Sequence, residues 1–337
     1  MRFRSDDVRN SMGFTSFPFA FARDITDAVN SVRRNLQPTA CPPVLYHNTS
    51  FRGISGILNT RTMWATCVDD LEDETEIEHG VKTVEAEIRQ RRLGGKKSVV
   101  GRLLQLVPEL LRERRRWTFV ACFRRTLERP PDTDSALAAK CAKWDRDHPY
   151  CVEFETLSNW KPRLRLGIRS DQQYHRVVYD RDVQRTAVAR AIAKVIDLAS
   201  KNCTGALEGP LAEGLAKSHA RLVAQSLIDM VCGFKSPSYS WEDEWRIVCR
   251  PATRLASSAP EFEDDHFSPY VKSGPTRHVE LAAHEQGPIS SLFQPRVLPF
   301  RAIYVSDSTN SFVRERQLIR SMLDDSGYSE VPIWSAQ

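Results

Sequence analysis

The order of strand-like and helix-like segments constrains the fold of this chain more than any other sequence feature. Short apolar runs predict strands at 44–47, 63–67, 117–123, 150–154, 241–249, 278–281 and 303–305. Helical spacing of apolar residues predicts two long helices in succession between residues 183 and 235. Strands and helices therefore do not alternate regularly, and no glycine-rich phosphate-binding loop follows a strand. The pattern favours an α+β fold over a doubly wound nucleotide-binding fold.

The domain organisation follows from this order. Residues 1–40 are interpreted as an N-terminal extension that carries an aromatic cluster and a helix opened by Asp24 or Thr26. Residues 41–337 are predicted to form a single α+β domain, in which the helices of 183–235 are an insertion. A chain of 337 residues is long enough to bury such a core without disulfide or metal cross-links.

Composition excludes several classes of protein. None of the eight cysteines belongs to a C-x-x-C pair, so we predict reduced thiols in a cytoplasmic protein. No run reaches the roughly 18 apolar residues of a membrane span, and Pro18 interrupts the apolar run near the N-terminus, so neither membrane insertion nor secretion is predicted. The net charge of +5 is too small to identify a partner.

The most basic stretch of the sequence runs from Arg89 to Arg116. Clustered arginines supply affinity for phosphates, so this stretch is a candidate nucleic-acid-binding surface. The favoured alternative is a solvated helix face on which arginines pair with neighbouring glutamates.

A first candidate site lies where a predicted strand runs directly into a helix at Tyr46, His47 and Thr49. Thr49 or Ser50 can cap that helix, which accounts for their hydroxyl groups. An imidazole at the mouth of a strand is placed to hydrogen-bond an entering ligand, but it also packs well in a core. The sequence leaves both interpretations of His47 open.

A second candidate site lies in the segment 240–248. With strand period 2, Glu242, Glu244 and Arg246 point to one side of the sheet, and the tryptophans of this segment point to the other side. The charged side is either a Glu–Arg ladder, which the motif favours, or a carboxylate presented to a substrate.

No metal site is predicted. The acidic run at 69–76 lacks the glycine and the ligand spacing of a calcium-binding loop, and acidic residues are common at helix starts. The histidines form no H-E-x-x-H motif, and no G-x-S-x-G segment is present.

Taken in order, these segments resemble the bacterial domain-of-unknown-function family 2971 over about residues 44–310. The matching segments are 45–50, 63–66, 119–123, 151–154, 177–180, 241–246 and 303–305. The opening of that family is similar to that of ADP-ribosyltransferase-like domains, which place a Glu on a late strand. The resemblance implies a split mixed or antiparallel β core of the ADP-ribosyltransferase-like type.

The resemblance also implies an activity. Enzymes of that type cleave the nicotinamide–ribose bond of NAD and transfer ADP-ribose to a protein or nucleic-acid acceptor, as toxins or defence effectors do. The reaction leaves an oxocarbenium-like cation on the ribose, which a fixed carboxylate stabilises.

Each candidate residue takes a role in that chemistry. Glu244 is expected to stabilise the cation, Glu242 to orient the acceptor or act as its base, and His47 to bind the ribose hydroxyls or the nicotinamide amide. Arg246 would pair with the pyrophosphate or with Glu242. The remaining residues expected to bind or position NAD are Tyr46, Thr49, Trp64 and Thr66.

Two other functions remain open. The first is a non-enzymatic nucleotide- or nucleic-acid-binding module of the same fold. The second is a regulatory protein whose helices at 183–235 form an oligomer interface. Neither the acceptor nor the role of residues 1–40 follows from the sequence.

Overall fold

The computed structural model describes residues 17–38, 40–71, 75–91, 98–127, 147–156, 164–165, 174–202, 210–250, 271–273, 276–283, 298–306 and 312–336. Several sequence predictions lie outside these residues. They concern Phe14 of the aromatic cluster, the acidic residues 72–74, the turn after Gly205 and most of the loop at 251–277.

The described chain is a mixture of helices and strands. The helices are α1 (Phe17–Arg34), α2 (Phe51–Thr60), α3 (Thr75–Gln90), α4 (Val99–Arg114), α5 (Arg181–Asn202), α6 (Pro210–Val231) and α7 (Phe312–Asp325). The strands are β1 (Val44–Thr49), β2 (Met63–Cys67), β3 (Phe119–Arg124), β4 (Tyr150–Glu155), β5 (Leu164–Arg165), β6 (Tyr174–Arg176), β7 (Glu244–Cys249), β8 (Val271–Ser273), β9 (Thr276–Ala283), β10 (Phe300–Ser306) and β11 (Ile333–Ala336).

These elements divide into two compact units, where the sequence predicts one domain after residue 40. The helical unit comprises Met1–Gln37, Thr75–Arg115 and Val178–Pro237, and the sheet unit comprises Pro38–Glu74, Arg116–Val177 and Ser238–Gln337. The helical unit thus joins part of the predicted N-terminal extension to the predicted insertion and to α3 and α4.

The helical unit is held by close helix packing and by a largely buried ion pair. Gly80 of α3 lies so close to α6 that an added Cβ would stand 2.7 Å from the carbonyl oxygen of Val231. Arg33 of α1 donates to Asp229 of α6 at 2.8 Å. A Gly at 80 is therefore required by the approach of two helices.

The sheet unit contains an open mixed sheet. Its strands lie in the order β11, β10, β4, β1, β3, β2, β9 and β5, and β7 pairs with β3 and β6. β10 and β11 are parallel, and every other described pair of strands is antiparallel. The α+β class is confirmed, with helices and strands largely segregated.

β1 and β2 pair with opposite ends of the same edge of β3. β1 pairs with β3 only at Tyr46 and Arg124, near the carboxyl end of β3, whereas β2 pairs with β3 at Val120 and Phe119, near its amino end. The other edge of β3 pairs with β7 along its whole length. The middle of β3 therefore faces a gap between β1 and β2.

The prediction of a strand over 241–249 is wrong at its start. Residues Pro237–Glu242 form a 3₁₀ helix, Asp243 has a φ of 38°, and β7 begins only at Glu244. Aspartate tolerates this left-handed backbone better than most residues, which allows the sharp entry into the strand.

Candidate ligand-binding face of the sheet

The two faces of the sheet differ in chemistry. The residues of one face, here called the apolar face, belong to the hydrophobic core, among them Leu45, Phe123, Val152, Trp245 and Ile303. Because side chains alternate along a strand, the residues between them point to the opposite face, here called the polar face. Strand register then assigns each candidate residue to one of the two faces.

His47 lies on the apolar face. It is directly opposite Val152 of β4, and its ring is 5.9 Å from the ring of Phe123. Its Nδ1 atom lies 2.9 Å from the carbonyl oxygen of Cys122 in β3. Because a carbonyl only accepts, Nδ1 carries the hydrogen. This bond crosses the gap between β1 and β3, where the ladder of backbone hydrogen bonds has ended.

Burial lowers the pKa of His47 to about 4, and the neighbouring His148 lowers it further while the bond to Cys122 opposes the shift. The imidazole is therefore neutral at pH 7, with Nε2 unprotonated. These contacts agree with the interpretation of His47 as a packed residue, and its bond to Cys122 also closes a break in the sheet.

Glu244 and Arg246 lie on the polar face. Glu244 is directly opposite Arg124, and Arg246 is opposite Cys122 and His175. Arg246 donates from Nε to Oε1 of Glu244 at 2.7 Å and from Nη2 to Oε2 at 2.9 Å. Glu244 is 4 % exposed and Arg246 is fully buried. The arrangement is a buried bidentate ion pair, as the ladder interpretation of the sequence predicts.

Glu242 and Trp241 do not continue the alternation of β7. Both lie in the 3₁₀ helix that precedes the strand, so strand period does not apply to them. The guanidinium carbon of Arg124 lies 5.6 Å from the centre of the Trp241 ring, within reach of a cation–π contact. The predictions that Trp241 shares the core face of Trp245 and that Glu242 shares the strand face of Glu244 are therefore wrong.

The remaining sequence candidates divide between the faces. Trp64 and Thr66 of β2 are on the polar face, opposite Glu280 and His278 of β9. Trp64 is stacked on His278 with ring centres 4.1 Å apart. Thr49 is buried on the same side of β1 as His47.

A group of which the sequence singled out only Tyr46 lies on the polar face near the edge strand β11. We call it the aromatic patch and define it as Tyr46, Glu153, Arg301, Tyr304 and Trp334. Tyr46 is opposite Glu153, and Tyr304 is beside Trp334 in the parallel pair of β10 and β11. The rings of Tyr46 and Tyr304 are 6.2 Å apart, edge to face.

Glu153 lies at the centre of the aromatic patch. The hydroxyl of Tyr304 donates to its Oε2 at 2.6 Å, and Arg301 Nε lies 3.6 Å from its Oε1. Burial and the Glu153 carboxylate raise the pKa of both Tyr46 and Tyr304. Both tyrosines therefore keep their protons at neutral pH and remain hydrogen-bond donors.

The aromatic patch is open to solvent at its outer end. Trp334 is 54 % exposed and the Arg301 side chain is 55 % exposed, whereas the Glu153 side chain is 11 % exposed. The exposed Trp334 ring lies beside Tyr304, whose hydroxyl bonds the sheltered Glu153 carboxylate, and the exposed Arg301 lies on the other side of that carboxylate. This combination indicates a binding surface.

Only part of this patch could have been found in the sequence. Glu153 and Tyr304 lie within predicted strands, but these are different strands and the two residues are 151 positions apart. Their contact depends on the pairing of β10 with β4, which no local pattern predicts.

Four arginines of the stretch from Arg89 to Arg115 pair with glutamates within the helical unit, namely Arg89, Arg91, Arg112 and Arg115. Arg89 and Arg91 bond Glu85 and Glu87 one turn earlier on α3. Arg112 of α4 donates to Glu78 and Glu85 of α3. These contacts agree with the predicted helix face of paired charges.

The acidic residues after β2 have a similar role. Asp70 accepts three hydrogen bonds from Arg277, one from its backbone N–H and two from its guanidinium. Within the part of the chain that the structure describes, no cluster of three or more metal-ligating side chains occurs. None of the described helices combines the length and hydropathy needed to cross a membrane.

In comparisons with known proteins, the chain matches no family model, no curated protein and no solved structure.

Proposed function

We propose that this protein binds NAD or a related adenine nucleotide on the aromatic patch, and that it does so as a binding module. The observation that carries this proposal is the union of three aromatic rings, a guanidinium and a carboxylate on one accessible sheet face. Each group matches one part of a nucleotide.

The exposed ring of Trp334 supplies a platform for a base. Stacking of a base on an aromatic side chain contributes about 1–3 kcal/mol and requires only an accessible ring face. Tyr304 lies beside Trp334 on the neighbouring strand, and Tyr46 lies near Tyr304. The three rings thus follow one another across the sheet. In known RNA-binding folds, aromatic rings on an exposed sheet stack with successive bases in the same way.

Arg301 supplies a charge for phosphate. Its side chain is largely exposed, and its contact with Glu153 is a single long ion pair of 3.6 Å. A guanidinium in such a position can turn to a phosphate with little loss, since exposed ion pairs contribute little free energy.

The positions of His47 and Glu244 weigh against NAD cleavage through this pair. The two residues are on opposite faces of the sheet, so one ribose cannot lie between them. The carboxylate of Glu244 is also neutralised by the bidentate Arg246. The resemblance to ADP-ribosyltransferase-like domains supports NAD as the ligand, but the enzymatic alternative would need a different carboxylate.

The binding proposal can be tested by titration. NAD, ADP-ribose and AMP are titrated separately into the full chain, and binding is followed by tryptophan fluorescence and calorimetry. We expect saturable binding that Trp334→Leu weakens by about tenfold or more. Trp117→Leu is the matched control, because Trp117 is 36 % exposed but lies outside the patch. No binding of any of the three at about 1 mM, the range of weak ligands, would overturn the proposal.

The proposal that the protein binds NAD without cleaving it is tested separately. The protein is incubated with NAD, with and without cell lysate, and free nicotinamide is measured. We expect no release above the rate without protein. Release that Glu244→Gln abolishes in a variant that remains folded would restore the transferase interpretation.

A further inference from the structure

We infer that Glu153 binds the vicinal hydroxyls of a ribose, which makes the aromatic patch selective for ribonucleotides over nucleotides that lack these hydroxyls. This inference rests on the proposed nucleotide binding and adds a residue and a substrate class to it.

Glu153 is held in place before any ligand arrives. Its strand is paired on both sides, with Tyr46 of β1 opposite on one side and Ala302 of β10 on the other. The bond from Tyr304 fixes Oε2, since a hydroxyl-to-carboxylate bond of 2.6 Å is short and strong. A carboxylate fixed in this way loses little conformational entropy on binding.

The Glu153 carboxylate can accept more hydrogen bonds than its described contacts use. Two carboxylate oxygens offer about four acceptor positions. Tyr304 occupies one of them and Arg301 approaches another. The remaining capacity can accept the two O–H donors of a vicinal diol, which is how an acidic residue binds ribose in dinucleotide-binding folds.

The charges around Glu153 favour a sugar over the other ligands that a carboxylate attracts. A phosphate would be repelled by Glu153 itself. An alkylammonium group, which aromatic rings and a carboxylate also attract, would be repelled by the guanidinium of Arg301, whose Nε lies 3.6 Å from Oε1. A neutral diol is repelled by neither group. The base would then lie on the rings, the ribose at Glu153 and the phosphate at Arg301.

The test compares two nucleotides that differ only in the hydroxyls. The dissociation constants of AMP and 2′,3′-dideoxy-AMP are measured by calorimetry on the full chain. We expect AMP to bind about tenfold or more tightly, since hydrogen bonds to a charged group are among the stronger ones. Glu153→Gln should weaken the binding of AMP to the level of the dideoxy nucleotide. The binding of the dideoxy nucleotide itself should be unchanged.

The control variant is Glu155→Gln. Glu155 is exposed and lies two residues further along β4, so it points to the same face. It should keep the preference for AMP. A stability measurement on each variant shows that the fold is intact.

The outcomes separate this inference from the proposed function. Equal binding of the two nucleotides, or a preference that persists in Glu153→Gln, overturns the role of Glu153 and leaves nucleotide binding intact. Absence of all nucleotide binding overturns both proposals. Binding of choline but not of AMP would identify the patch as a cation site and also overturn both.

Discussion

His47 and Glu244 lie on opposite faces of one sheet. His47 points to the hydrophobic core beside Phe123, and Glu244 points to the polar face opposite Arg124. The sheet backbone therefore separates the two groups that a shared NAD-cleaving site would bring together.

Breaking the buried pair of Glu244 and Arg246 should destabilise the sheet unit. Glu244→Gln or Arg246→Met alone leaves a buried charge without its partner, which costs about 3–5 kcal/mol. The double variant Glu244→Met/Arg246→Met removes both charges and should recover most of that loss. The measurement is the free energy of unfolding in urea.

The control for these variants is the exposed pair of Asp197 and Lys201 on α5, whose side chains are 61 % and 68 % exposed. Asp197→Asn should change the free energy of unfolding by no more than about 0.5 kcal/mol. A Glu244→Gln variant as stable as the wild type would contradict the structural role.

His47 should make the folded protein sensitive to acid. Its pKa is about 4 in the folded chain against an ordinary value of 6.5, so between these values the unfolded chain binds more protons. Stability is therefore intact above pH 6.5 and falls as the pH drops towards 4. Between pH 7 and pH 5 this residue should account for a loss of about 1–2 kcal/mol.

His47→Leu tests this pH dependence. The variant should be less stable at pH 7, because the carbonyl of Cys122 loses its partner. Its free energy of unfolding should nevertheless depend less on pH between 7 and 5 than that of the wild type. Parallel pH profiles for the two proteins would show that His47 does not titrate in this range.

Two glycines should respond in opposite directions to alanine. At Gly80 a new Cβ would meet the Val231 carbonyl oxygen at 2.7 Å and a Val231 methyl carbon at 2.8 Å. Gly80→Ala should therefore cost about 1–3 kcal/mol through the displacement of α6. At Gly214, within α6, a Cβ meets no described atom within 4 Å.

Gly214→Ala is thus the matched control, and it should stabilise the helix by up to about 1 kcal/mol. Thermal denaturation of the two variants beside the wild type measures both effects. An increase in melting temperature for Gly80→Ala would contradict the close approach of α3 and α6.

Asp70 should contribute to stability through Arg277. Hydrogen bonds from Arg277 hold the pKa of Asp70 below its usual range. Its contribution is therefore present above the ordinary carboxyl pKa of about 3.9 and is lost as the pH falls below that value. Asp70→Asn should cost about 1–3 kcal/mol at pH 7.

The neighbouring Asp69 provides the comparison for this prediction. It lies 3.8 Å from the Arg277 guanidinium, so Asp69→Asn should cost clearly less than Asp70→Asn. Urea denaturation at pH 7 distinguishes the two. Equal losses would indicate that Arg277 is held by net charge and not by the directed bonds to Asp70.

The sequence by itself indicated most of the longer strands and helices, although not β5, β6, β8, β11 or α7, and it indicated how side chains alternate within a strand. Period 2 correctly separated Glu244 and Arg246 from Trp245 and Ile247, because alternation is a property of the extended backbone. It failed at Glu242, where a 3₁₀ helix and the positive φ of Asp243 interrupt the strand.

Only the tertiary structure decided which face each strand residue occupies relative to residues on other strands. A shift of one residue in register exchanges the two faces of a strand, and register depends on pairings between distant segments. The pairing of β1 with β4 placed His47 on the apolar face, and the pairing of β10 with β4 brought Tyr304 to Glu153. Local patterns indicated the candidate residues, but the sheet determined which of them share a surface.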